Sequence, residues 1–219
     1  MKLFHDDNLI EVGVDECGRG TLVSDVYAAA VIWPKELDPD KIHPEMKDSK
    51  GYSKKKLFEM EKYVKDNCIA YSIGNVNQDV IDDINILNAT YKAMHIAISN
   101  INYEYDSILV DGNRFEQYYD KNKEDWIPHT CIVKGDTKYY SIAAASILAK
   151  CEKDRSIINL CDKYPELDIR YKLKSNIGYA SKAHRDGIDS YGITQFHRKT
   201  FGICKKYADD ITELESKIK

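Results

Sequence analysis

The chain has no apolar run that could cross a bilayer: the longest, such as residues 142–149, fall far short of the roughly 20 residues a spanning helix needs. No two of its six cysteines stand in a CxxC or other zinc-ligand spacing, so no zinc finger or ribbon is encoded. Residues 1–8 are polar and include Asp6 and Asp7, which does not fit a secretory signal. No internal repeat and no low-complexity tract is visible. An excess of positive charge is missing too: 32 Lys and Arg stand against 36 Asp and Glu, a net charge of −4. Taken alone, that mild acidity argues against a nucleic-acid partner.

What is present is an ordinary globular composition, 43% hydrophobic and 31% charged over 219 residues. That length makes one large domain with a real core and no need of disulfide staples. The cysteines, Cys17, Cys68, Cys131, Cys151, Cys161 and Cys204, several of them in apolar stretches, read as small buried side chains in a reducing compartment. The expected setting is therefore soluble and cytoplasmic. Apolar runs at 9–14, 26–33, 69–73, 107–110 and 130–133 predict strands, the first two joined as a hairpin through Gly18-Arg19-Gly20. Helical spacing predicts helices over 53–67, with Ser53 as N-cap, over 85–101, and over about 140–161. Strands first, then helices alternating with strands, define an α/β domain with a mixed sheet flanked by helices. Past about residue 165 no convincing strand remains. Residues 1–165 are expected to form the main domain, and 166–219 a small helical lobe that belongs to the same unit.

The chemistry lies in carboxylates. Asp15-Glu16 ends one predicted strand, Asp111 ends another, and Asp136 follows a third and precedes the long helix. Strands of one sheet bring their ends together whatever their separation in sequence. Three or four carboxylates side by side stay ionised only with cations among them. An all-oxygen set suits Mg²⁺ or Mn²⁺ rather than zinc. Two such ions about 3.5–4 Å apart are the usual device for in-line cleavage of a phosphodiester. Each acid alone has a plainer reading: Asp111-Gly112 as a turn, Asp136 as a helix-initiating residue. Asp154, inside the long helix between Lys153 and Arg155, competes for the fourth place.

The segment 13–20, Gly-Val-Asp-Glu-Cys-Gly-Arg-Gly, resembles the opening motif of the type 2 ribonucleases H, the ribonuclease HII family. Asp48-Ser49-Lys50, Val110-Asp111-Gly112, Lys134-Gly135-Asp136, the run from Ala143 to Lys150, Asp154-Arg155, Gly178-Tyr179 with His184, and His197-Arg198 with Phe201 match that family in order, over roughly residues 13–201. The resemblance implies a ribonuclease H-like fold and a metal-dependent endonuclease. The enzyme would cut the RNA strand of RNA–DNA hybrids and the 5′ side of ribonucleotides embedded in duplex DNA, leaving 5′-phosphate and 3′-hydroxyl ends. It implies service in primer removal and ribonucleotide excision. Asp15, Glu16, Asp111 and Asp136 take the places of the catalytic carboxylates that hold two metal ions, which sets Asp154 aside. Gly18, Arg19 and Gly20 take the place of the turn that reads the 2′-hydroxyl, the group that distinguishes RNA from DNA. Tyr179 takes the place of the tyrosine that packs on the nucleotide at the RNA–DNA junction, and Lys50 that of a phosphate-contacting lysine. A ribonuclease HIII reading is disfavoured by Asp136, where that type typically has glutamate. A monomer is expected, and no replication-clamp segment is evident.

The chain departs from the family pattern in places. Thr21 stands where proline is usual, Ser24-Asp25 where Gly-Pro is usual, Gly51-Tyr52 where Lys-Leu is expected, and Ile177 where lysine is usual. The stretch between Asp111 and Asp136 is also long. These put the stiffness of the recognition hairpin in question and remove one expected phosphate contact, but they leave the four acids intact. Two rival functions are a non-catalytic hybrid-binding protein and a nuclease acting on DNA alone. The charge objection weakens on inspection, because residues 170–206 hold nine bases and two acids, a net of +7, which leaves −11 elsewhere. An acidic body and a basic lobe are averaged in the total.

Overall fold

The computed structural model describes residues 1–40, 43, 44, 46 and 49–216. Five strands make one mixed sheet: β1 (Glu11–Cys17), β2 (Val26–Ile32), β3 (Ala70–Val76), β4 (Ser107–Asp111) and β5 (His129–Ile132), in the order β3-β2-β1-β4-β5. β2 runs antiparallel to β1, while β4 is parallel to β1 and β5 to β4. All seven residues of β2 are buried, as expected of a central strand covered on both faces.

The helices are α1 (Lys54–Asn67), α2 (Gln78–Ser99), α3 (Tyr140–Lys163), α4 (Glu166–Tyr171), α5 (Leu173–Asn176) and α6 (Lys182–Tyr191). α1 begins where its cap predicts: the Ser53 hydroxyl accepts the Lys56 N–H.

The chain divides into two compact units. The first comprises residues 1–17, 27–75 and 90–151, the second 18–26, 76–89 and 152–219. In the first, Ala29 and Val31 of β2 pack with Leu57, Met60 and Val64 of α1 and with Ala143 and Ile147 of α3. In the second, Leu22 and Val23 share a core with Ile157, Leu167, Tyr171 and Ile188.

Several elements differ from expectation for visible reasons. β1 runs on through Asp15 and Glu16, because Ala29 and Ala28 of β2 continue the ladder opposite them. α2 starts seven residues early but breaks at Asn85, whose φ is 68°. The Asn85 side-chain oxygen accepts the N–H groups of Leu87 and Asn88, so the expected start at 85 is an internal cap. The long stretch after Asp111 contains a two-residue hairpin, Tyr119–Asp120 with Asp125–Trp126. Past residue 165, where no strand was expected, two short strands do form, Ile193–Thr194 parallel to Ile211–Thr212.

Candidate active site

In the parallel register of β1 and β4, Val14 lies level with Val110. Asp15 and Asp111 are the next residues on adjoining strands, where level positions face the same side. Asp15 is only 6% exposed. Its Oδ1 accepts the Glu16 N–H at 2.7 Å, and its carboxylate also accepts from the Ser146 hydroxyl. Burial raises its pKa well above the carboxylate range, and the charges of Glu16 and then Asp111 add to the shift.

Gly13 shows why α3 can supply Ser146. A Cβ at Gly13, on the same face as Asp15, would stand 2.4 Å from the backbone carbon of Ser141. Only glycine lets α3 lie against the sheet there. The Ser146 hydroxyl is in turn 3.0 Å from the Ser49 hydroxyl. The expected Asp48-Ser49-Lys50 segment therefore reaches the site through Ser49, whose role the sequence did not disclose. Asp48 and the Lys50 side chain lie outside the described residues, and the Lys50 backbone forms part of a short helical turn, Ser49–Gly51.

Asp111 is half-buried, and its Oδ1 accepts the Gly135 N–H at 2.6 Å. That bond ties β4 to the 3₁₀ turn Gly135–Thr137, which carries the half-buried Asp136. The rival Asp154 is 6% exposed and lies 3.5 Å from the buried Lys153 ammonium. Among the described residues no three Asp, Glu, His or Cys side chains converge closely enough to hold a metal ion. The donor chemistry of Asp15, Glu16, Asp111 and Asp136 nevertheless fits a hard cation: all are oxygen ligands, and the Asp15 carboxyl, raised first by burial, is raised further by the charges of Glu16 and Asp111.

In the second unit, Gly18 has φ +96° and sits under the Asp25 carbonyl, 3.2 Å from where a Cβ would be. Arg19 and Gly20 are exposed. The Thr21 hydroxyl closes this turn by donating to the Gly18 carbonyl at 3.0 Å, a tie that the usual proline does not offer. Residues 21–24 are pinned in strand fashion: Leu22 N–H donates to Gly178 O, Arg198 N–H to Leu22 O, and Ser24 N–H to Phe196 O. A Cβ at Gly20 would be 4.0 Å from the Tyr179 ring, so this turn and Tyr179 are neighbours.

The Tyr179 ring is 39% exposed and has the Lys153 ammonium 4.5 Å from its centroid. Lys153, 1% exposed, also donates to the Ile177 carbonyl. Behind Tyr179 lies a buried histidine pair whose tautomers follow from its donors. Thr194 N–H donates to His197 Nδ1 at 3.0 Å, so His197 carries its proton on Nε2 and donates to His184 Nε2 at 3.2 Å. His184 then donates from Nδ1 to the Tyr179 carbonyl at 3.0 Å. Burial lowers the pKa of both; His197, which faces His184, is pushed to about 3.

One expectation is corrected. Arg198 was counted among the bases available to phosphate, yet it is fully buried. Others in that stretch are engaged in ion pairs: Arg170 with Glu166, Lys174 with Asp162, and Lys182 with Asp186. Lys172, Arg185, Lys205 and Lys206 are exposed.

A mixed sheet flanked by helices, with acids on adjoining strand ends, defines the ribonuclease H-like class, and comparison with known proteins agrees. Ribonuclease H2 from Pyrococcus horikoshii superposes with a TM-score of 0.67 at 22% identity, over 91% of this chain and 97% of that one. The ribonuclease HII of an Archaeoglobus fulgidus complex with PCNA gives 0.65 at 21% identity, over 89% and 96%. In sequence, ribonuclease HII of Bacteroides fragilis is 42% identical over 97% of both chains. The family model described as Ribonuclease HII matches residues 12–204. The chain belongs to the ribonuclease HII family, metal-dependent endonucleases that hydrolyse the RNA of RNA–DNA hybrids and excise ribonucleotides. The family resemblance read from the sequence is thereby borne out.

Proposed function

We propose that Asp15, Glu16, Asp111 and Asp136 are the catalytic carboxylates and that they hold two divalent ions, Mg²⁺ or Mn²⁺. Such ions would supply an activated water and charge neutralisation at the leaving oxygen. The observation that carries this reading is the register of β1 and β4, which makes Asp15 and Asp111 neighbours, with Asp15 responding to the charges of Asp111 and Glu16. Ser146 and Ser49 hold Asp15 in one orientation. Gly18, Arg19 and Gly20 read the 2′-hydroxyl, since two of the three are exposed and glycine lets backbone come close. Tyr179 packs against the nucleotide with its exposed face, and Arg19 and Lys50 contact phosphate. Residues 166–219 contribute the substrate-binding lobe. The substrates are RNA–DNA hybrids and ribonucleotide-bearing duplex DNA. The protein acts as a monomer in this reading.

Among the described residues no helix is long and apolar enough to cross a membrane. We place the protein in the cytoplasm, where its six free cysteines would stay reduced.

The decisive test is Asp15→Asn, assayed on a duplex with a single ribonucleotide with and without Mg²⁺. The variant should bind the duplex like wild type and cleave it at least about 10³-fold more slowly. Near-wild-type cleavage by a folded variant would falsify the assignment. An all-DNA duplex cut as fast as the ribonucleotide-bearing one would remove the role given to Gly18, Arg19 and Gly20.

A further inference from the structure

Arg198 is a buried cation with an unusual set of partners. It has no exposed surface, and its guanidinium donates to three backbone carbonyls: Nε to Ser24 at 2.9 Å, Nη1 to Arg19 at 3.1 Å and Nη2 to Asp25 at 3.0 Å. All three lie in the connection 18–25, which begins with Gly18, Arg19 and Gly20. Burial lowers the Arg198 pKa to about 10, with Asp25 and Asp82 acting against the shift, so it stays charged at neutral pH. Its planar fork reaches both sides of the loop at once, which a lysine ammonium does not do.

The hold falls where this chain departs from its family. Ser24 has φ +70°, a left-handed conformation that is strained for a residue with a side chain, and Thr21 and Asp25 stand in place of two prolines. The stiffness that prolines would build into the loop is supplied instead from outside it. Asp82 fixes the segment that carries Arg198: its carboxylate accepts the N–H groups of Lys199 at 2.7 Å and Thr200 at 2.9 Å.

We propose that Arg198 is the positioning residue for ribonucleotide recognition, clamping residues 19–25 so that Gly18, Arg19 and Gly20 present one fixed surface to the 2′-hydroxyl. This rests on the reading of that turn given above. Arg198 has no exposed surface to offer a substrate, so its loss should act on recognition and leave the chemical step in place.

The test compares wild type, Arg198→Lys and Asp82→Asn at a temperature where circular dichroism shows each folded. Steady-state cleavage of a duplex with one embedded ribonucleotide is measured, together with binding of that duplex and of its all-DNA counterpart in Ca²⁺. Arg198→Lys should raise KM about tenfold, keep kcat within about threefold, and reduce the preference for the ribonucleotide-bearing duplex by a similar factor. Asp82→Asn leaves the buried cation in place and should raise KM about threefold, with the same split, which keeps the test open if Arg198→Lys does not fold. Unchanged KM and preference in the folded variants overturn the positioning role, as does a fall in kcat at constant KM. If wild type itself binds both duplexes equally, the reading of the turn fails, and this proposal fails with it.

Discussion

Asp15 is the residue on which the site's electrostatics concentrate. Its folded pKa is raised, so it binds more protons in the folded than in the unfolded chain above the ordinary carboxylate pKa. The extra stability of the protonated form is present at low pH and is lost as pH rises through the folded value. Without divalent ions at pH 7.5, Asp15→Asn should therefore unfold at a higher urea concentration than wild type; a lower midpoint in EDTA would contradict the raised pKa. The four acids proposed for the site stand out in the sequence because Asp15, Glu16 and Asp111 close apolar runs and Asp136 follows one. Ser146, Ser49, Lys153 and Arg198 do not. Their importance lies in partners that the sequence does not pair with them, as when Arg198 bonds a carbonyl 174 residues away. By composition Lys153 and Arg198 read as surface charge, and the fold buries both.

At the scale of elements, the contact of α3 with β1 controls the site. Gly13→Ala would drive a Cβ into the Ser141 backbone, so α3 must shift and take Ser146 away from Asp15. We expect a loss of about 2–3 kcal/mol in chemical denaturation, together with slower cleavage by whatever remains folded. A variant with wild-type stability would show that the helix has room to move. Periodicity disclosed α1 because it buries one regular stripe, Leu57, Met60 and Val64, and Ser53 marked its start by its hydroxyl, whereas α3 showed as one long apolar run because residues 141–149 are buried on every side. The first segment of α2 escaped because Gln78, Asp79, Asp82 and Asp83 dilute its apolar pattern. The two-residue strands escaped for another reason: a strand that short exists only through its partner, and Ile211–Thr212 finds Ile193–Thr194 through tertiary structure alone.

For the whole molecule, net charge is a poor guide, since a basic stretch and an acid-rich remainder cancel, and even the basic stretch spends Arg198 internally. Acid sensitivity is better placed in the histidine pair. Both folded pKa values lie below the unfolded value near 6.5, so the unfolded chain binds more protons below that pH. Stability is full above about pH 6.5 and is lost as pH falls, by about 2 kcal/mol at pH 5 for His197 alone. Urea midpoints of Asp15→Asn at pH 7.5 and 5.0, with that opposing acid removed, should show the fall, and adding His197→Asn should flatten it. Equal midpoints at both pH values would mean that the pair takes up protons while folded. The interleaved chain path of the two units has a further consequence. The second unit takes residues from three separate stretches, 18–26, 76–89 and 152–219. No single cut in the gene isolates it. A fragment that begins near residue 152 would lack Leu22 and Val23 of its own core. Neither unit can be inherited, lost or exchanged as a module, so the two must evolve as one piece.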